Sequence, residues 1–364
     1  MRPLATSAAL IISALSVSNT ASAETTALLP AQATQSGSNW ADETTEFASL
    51  DASASREACR RVRTLEPPDA DWPDDAEQRA LNGCSSAALY YGVGQDPDPL
   101  RARHCALLEA RQGDYDRGPF AGLAILMMIY ANGFGVERDL DLATSLACRI
   151  DGAPAEVGGR VEHIQHLGPD VTFDFCDDIT SGLAAGLCAS RDAWIAGTKR
   201  ENKLDSFTAT LSPELQDRFV ALRDAANTYA ETSGSNEVDL SGTARAVFVI
   251  ERRESIKWGF VGTLDGIEDG SLILPPPEEL VSHDRELNEA YALVMAIESQ
   301  EGAEDRLPYT TVTKQGIRES ERRWLEYREA WVEFAAGKYP HIASDGLRAE
   351  LTRRRTEFLA GFIH

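Results

Sequence analysis

Apolar positions recur at helical spacing over most of this chain. The clearest start is Ser212-Pro213-Glu214, which places a capping serine before a proline in the first helical position; Leu215, Phe219, Leu222, Ala226 and Tyr229 then fall on one face. Another helix is predicted to begin near Leu240-Ser241-Gly242 and to run through Val247 and Ile250 to Trp258. Further on, Leu287, Tyr291, Val294 and Met295 form one stripe, and Ile317, Trp324, Tyr327, Trp331 and Phe334 form the next. These two stripes are expected to pack as an antiparallel pair. Gly337 and Pro340 end the second of them, and Ser344 opens a last helix carrying Leu347, Leu351, Phe358 and Leu359. Pro275-Pro276-Pro277 makes a stiff spacer ahead of this C-terminal set.

The chain also repeats itself. Gly92, Gly94, Asp98 and Ala102 recur 41 residues later as Gly133, Gly135, Asp139 and Ala143, each time at the end of an apolar helical run. The glycines permit a sharp turn, and the alanine lets the following helix approach the first closely. The second copy is similar to the Sel-one-like form of the tetratricopeptide repeat, L-x-x-x-Y-x-x-G-x-G-V-x-x-D-x-x-x-A. The first copy departs from it at Gln95-Asp96-Pro97-Asp98. The resemblance implies helical hairpins that either bind another protein along a concave face or cap the following domain. Two copies fall short of the three or more that make a self-sufficient solenoid.

At the N-terminus, Met1-Arg2, an apolar run at 5–17 and Ala21-Ser22-Ala23 have the form of a signal peptide, with a mature start expected near Glu24. No cysteine follows the cleavage site, so no lipid anchor is expected, and no later stretch reaches the roughly 20 apolar residues of a membrane span. Residues 24–57, rich in Ser, Thr, Ala and Gln, are expected to be a flexible linker, with Trp40 and Phe47 as incidental apolar side chains. The formal charge of −23 disfavours nucleic acid and anionic lipid and attracts a basic protein. An even count of six cysteines in an exported chain favours disulfides, with many pairings open.

The C-terminal residues carry a more specific pattern. Asp284-Arg285-Glu286-Leu287-Asn288-Glu289-Ala290-Tyr291 and, from Glu321, Arg322-Arg323-Trp324-Leu325-Glu326-Tyr327-Arg328 resemble the two helices of the LprI-type lysozyme-inhibitor family, D-x-E-L-N-x-x-Y and Q-x-x-W-L-x-Y-R. Glu321 stands where that family has Gln. Leu351-Thr352 and Arg355 are similar to its closing L-T-x-x-R, and Phe173-Asp174-Phe175-Cys176 with Leu187-Cys188 resemble the ends of its first cysteine pair. What the resemblance implies is a disulfide between Cys176 and Cys188, and a protein partner, a basic lysozyme. It also implies structural or partner-binding roles for Asp284, Leu287, Asn288, Tyr291, Trp324, Tyr327 and Arg328. Arg328 has two readings: a planar fork for a carboxylate in a lysozyme cleft, or an internal pair with Asp284 or Glu286. The two cysteines that the family often carries in its last helices are missing here.

No H-E-x-x-H, G-x-S-x-G, Gly-rich phosphate loop or zinc-spaced cysteine set occurs. His163 and His166 are read as a polar pair and not as metal ligands. We therefore expect no enzyme activity, no cofactor, no metal, no nucleic-acid partner and no membrane span. The expected fold is mainly α: helical repeat hairpins followed by an antiparallel helical bundle, with disulfides. Its parts are a signal peptide at 1–23, the linker at 24–57, Sel-one-like repeats at 58–155, a helical module with Cys176 and Cys188 at 172–272 and an LprI-like module at 281–364. The expected function is a periplasmic or secreted lysozyme inhibitor, against the alternative of a helical-repeat adaptor for envelope proteins. An exposed, mobile loop with an aromatic or cationic tip on the C-terminal helices would favour the inhibitor, and a broad apolar groove at about 80–150 the adaptor.

Overall fold

The computed structural model describes residues 39–46, 50–112, 120–299, 302 and 305–363. The expected signal peptide, residues 24–38 of the expected linker and Phe47 lie outside the described residues. Among those described there are thirteen α-helices and no strand. They enclose two hydrophobic cores, one formed between Trp40 and Cys188 and the other between Leu204 and Leu359.

The first core is built from α1 (Ser53–Val62), α2 (Asp75–Ala80), α3 (Ser86–Tyr91), α4 (Pro99–Gln112), α5 (Leu123–Asn132), α6 (Leu140–Ala147) and α7 (Pro154–Gln165). At its centre is α5, apolar on every face and buried from Ala124 to Ala131. Burying its Ile125, Leu126, Met127, Met128 and Ile129 is worth about 1.5–3 kcal/mol each.

The stretches related by 41 residues build the same hairpin twice. Gly92 and Gly133 end α3 and α5 in left-handed backbone, at φ 69° and 67°. The Asp98 and Asp139 amides then donate back to the Leu89 and Tyr130 carbonyls at 2.9 and 3.0 Å. The same two aspartates cap the next helix through Arg101 and Leu142.

Disulfides join Cys59 to Cys148, Cys84 to Cys105 and Cys176 to Cys188, and so use all six cysteines. Trp40 is 8% exposed: its ring N–H donates to Ser55 Oγ at 3.0 Å and its amide to the Cys148 carbonyl at 2.9 Å. This differs from a linker continuing to residue 57. A large ring with its own donor gains more from a slot beside α1 and Gly158 than from water, and α1 itself begins at Ser53.

The second core uses α8 (Gly182–Thr208), α9 (Pro213–Asn236), α10 (Arg245–Glu268), α11 (Leu280–Ala296), α12 (Lys314–Lys338) and α13 (Ser344–Ala360). Phe219, Phe260, Trp331 and Phe334 meet at its centre with ring centroids 5.0–6.4 Å apart. Helices from 172–272 and from 281–364 therefore share one core. The expected antiparallel pairing of α11 with α12 is replaced by a different order: α11 packs chiefly on α13, and α12 chiefly on α9. The reason lies in α13, which buries Leu347, Ala349, Glu350, Leu351, Thr352, Arg355 and Leu359 around much of its circumference and so needs neighbours on more than one side.

Candidate functional site

The motif residues of the C-terminal helices mostly face inward. Leu287, Trp324 and Tyr327 are buried, and Tyr327 stacks on Tyr229 of α9 with ring centroids 5.7 Å apart. Tyr291 is half-buried against the same core. Asn288 is exposed, and its amide donates to the Asp284 carbonyl one turn earlier at 2.7 Å. Arg328 lies over the Trp324 ring at 5.1 Å. From there it donates to Asp284 Oδ1 on α11 and to Thr352 Oγ1 on α13, both at 3.1 Å. A single guanidinium thus ties α11, α12 and α13 together, and of the two carboxylates considered for it, Asp284 is the one it meets.

Beneath this lies a charged cluster in the interior. Arg355 of α13 pairs with Glu237 Oε1 at 2.6 Å and with Glu321 Oε2 at 2.9 Å, and also donates to the Tyr229 hydroxyl at 3.1 Å. Arg252 of α10 donates to Ser233 Oγ at 2.7 Å and to the same tyrosine hydroxyl at 3.1 Å, while Ser233 donates to Glu237 Oε2 at 2.5 Å. Burial opposes the Arg355 charge, but Tyr229, Glu237 and Glu321 outweigh it and hold the guanidinium protonated well above its usual range. Burial pushes the Glu321 carboxyl up from its ordinary value; the nearby Glu237 adds to this against the pull of Arg355. The cluster thus joins α9, α10, α12 and α13 through their side chains.

Within the segment that joins α11 to α12, residues 306–313 make a tight turn of a different character. Arg306 and Thr313 form an antiparallel bridge, and the Leu307 amide donates to the Val312 carbonyl at 3.0 Å. Leu307 and Val312 are each 3% exposed and plug into the second core, whereas Tyr309 between them is 100% exposed. Tyr309 has φ 59°, the left-handed region, which is strained for a bulky side chain. Asp239, just past α9, pins the loop from the side by accepting from the Thr311 amide and hydroxyl at 3.0 and 3.1 Å. Hydrogen bonds from Ser241 and then Thr311 hold the Asp239 carboxyl down to about 2.

Residues 277–359 match the family model of lysozyme inhibitor LprI. No curated protein and no solved structure matches the chain. The LprI match runs through α11, the Tyr309 loop, α12 and α13 as far as Leu359, and it contains Glu321, Arg328 and Arg355. Glu237, Tyr229, Ser233 and Arg252, which complete the buried cluster, lie before it. The LprI-matching helices therefore close their core with α9 and α10 from the preceding sequence.

Sequence reasoning missed two features here. Arg355 was visible as the end of L-T-x-x-R, but nothing marked Glu237 as its partner. Tyr309 sits in Pro308-Tyr309-Thr310, whose left-handed backbone leaves no compositional trace. The two histidines do not converge: His163 Nδ1 lies 3.0 Å from Asp178 Oδ2, and His166 Nδ1 is 2.8 Å from the Glu162 carbonyl. Among the described residues, the only trio of potential metal ligands is Cys84, Cys105 and Glu109, and its two sulfurs are bonded to each other.

Proposed function

We propose that this protein is an exported binding protein whose C-terminal helices bind and block a peptidoglycan-cleaving lysozyme. The observation that carries the reading is the LprI match over residues 277–359, which points to a protein partner and to inhibition rather than catalysis. Blocking requires no chemistry from this chain. It requires a surface element held rigidly enough to occupy the carboxylate-bearing cleft of the enzyme, and the loop between α11 and α12 has the aromatic tip that this role calls for. Asp284, Asn288, Trp324, Tyr327 and Arg328 serve in this reading to set the helices that present the loop. Three disulfides suit an oxidising compartment outside the cytoplasm, and among the described residues no helix is long and apolar enough to cross a membrane. A formal charge of −23 speeds encounter with a basic enzyme.

The test is lysis of a cell-wall suspension by several lysozyme types, with and without the oxidised mature chain, at low and moderate salt. Dose-dependent inhibition that survives moderate salt supports the reading. Inhibition of no type, or inhibition that disappears once salt screens the charge, counts against it. A second reading, an adaptor that recruits an envelope protein through Sel-one-like repeats at 58–155, rests on the two matching hairpins α3/α4 and α5/α6.

A further inference from the structure

We propose that Tyr309 is the residue that enters the saccharide-binding cleft of the inhibited lysozyme. This inference rests on the inhibitor reading above and adds to it the contact residue and the surface it meets.

Three observations converge on this tyrosine. Its ring is fully exposed, although tyrosine buries readily when a fold offers it a slot. Its backbone is left-handed at φ 59°, a conformation that glycine or asparagine adopts at far lower cost. And it is held still. Leu307 and Val312 anchor both feet in the second core, the Leu307–Val312 hydrogen bond closes the neck, the Lys314 amide donates to the Asp305 carbonyl at 2.8 Å, and Asp239 clamps Thr311. A strained, solvent-facing aromatic on a rigid mount receives nothing in return from its own fold. Strain at such a place is characteristic of a surface prepared for a partner.

The shape selects the kind of partner. A single projecting ring fits a concavity, and a cleft that binds sugar chains offers one lined to receive ring-shaped groups of amphipathic character. Tyrosine presents an apolar body and a hydroxyl at its end, with only two side-chain torsions to freeze. The hydroxyl can donate to a carboxylate of the kind that a glycosidase carries in pairs at the bottom of its cleft. The Leu240 amide donates to Thr311 Oγ1 at 2.6 Å and adds a further hold on the loop.

The experiment compares the full mature oxidised chain with its Tyr309→Gly and Tyr309→Phe variants, against the lysozyme type that the unmodified protein inhibits. Lysis inhibition, thermal unfolding and direct binding to that lysozyme are read, the binding with and without tri-N-acetylchitotriose as a competitor for the cleft. Tyr309→Gly is expected to weaken inhibition by about thirtyfold or more, the scale of an interface hot spot. Its melting temperature should be equal or higher, because glycine relieves the left-handed strain. Tyr309→Phe should weaken inhibition by about fivefold, the loss of one hydrogen bond, and the trisaccharide should displace the unmodified protein. Undiminished inhibition by Tyr309→Gly, or binding indifferent to the trisaccharide, overturns this inference while leaving the inhibitor reading in place. If the unmodified chain inhibits no lysozyme, the reading fails and this inference with it.

Discussion

Arg355 on α13 and Glu237 at the end of α9 meet at 2.6 Å with neither side chain exposed to solvent. Removing Glu237 leaves the buried Arg355 with only part of its compensation, the Glu321 carboxylate, and breaking a buried ion pair costs about 3–5 kcal/mol. Glu237→Ala should therefore lower the midpoint of denaturant unfolding steeply, as followed by tryptophan fluorescence. A loss below about 1 kcal/mol, the range of an exposed pair, would mean that water reaches this cluster.

Glu321 occupies the position where the family pattern has Gln. Its folded-state carboxyl is raised above the ordinary value by burial, so the stabilisation linked to its proton is complete below the unfolded value of 4.5 and is lost as pH rises through the higher folded value. Glu321→Gln removes that loss and still offers Arg355 Nε an acceptor. We expect the variant to be more stable than the parent at pH 7, with the gap closing as pH falls below 4.5. Urea titrations at several pH values check this; a variant less stable at pH 7 would show that the Arg355 attraction outweighs burial.

The clamp on the Tyr309 loop has its own pH range. The Asp239 carboxyl lies at about 2 in the fold against 3.8 for the free group, so its contribution is present above 3.8 and is lost as pH falls through about 2. The amide proton of Thr311 should shift in NMR spectra with that midpoint. In Asp239→Asn the shift should vanish, with the rest of the spectrum little changed.

The three disulfides all lie in the first core or at its edge, and the second core contains none. Losing the Cys59–Cys148 bond, which spans 89 residues, should cost about 4–5 kcal/mol, and losing Cys176–Cys188, which spans 12, about 3 kcal/mol. Under a mild reductant, hydrogen exchange should speed up first in α1 to α7. Amides of α9, α12 and α13 should keep their protection. Uniform loss across both cores would show that they unfold as one unit.

Helical class and several helix limits were legible because apolar spacing and caps are local signals: Pro213 starts α9, and α12 ends at Lys338, beside Gly337 and Pro340. The pairing of helices was not. A stripe such as Leu287, Tyr291 and Val294 shows which face is buried but not which helix covers it, and here α13 does so. On α13, Arg353, Arg354 and Arg355 stand in succession, and residue type alone does not separate the buried one from its neighbours. Only tertiary structure turns Arg355 inward, toward carboxylates 118 and 34 positions away along the chain. Tyr309 was hidden for another reason, since exposure and backbone handedness depend on what the neighbouring residues anchor.

One helix, α8, contributes Cys188 to the first core and Leu204 to the second. At about 1.5 Å of rise per residue, the path between them is about 24 Å of unbroken helix. Such a shaft transmits angle as well as distance. A single inserted residue between the two positions would wind one end by about 100° against the other, pulling Arg200 off Glu254, which it now meets at 2.6 Å. Length changes in this stretch are therefore tolerable only in near-whole turns, and α8 sets the phase between the oxidised half of the protein and its cystine-free half.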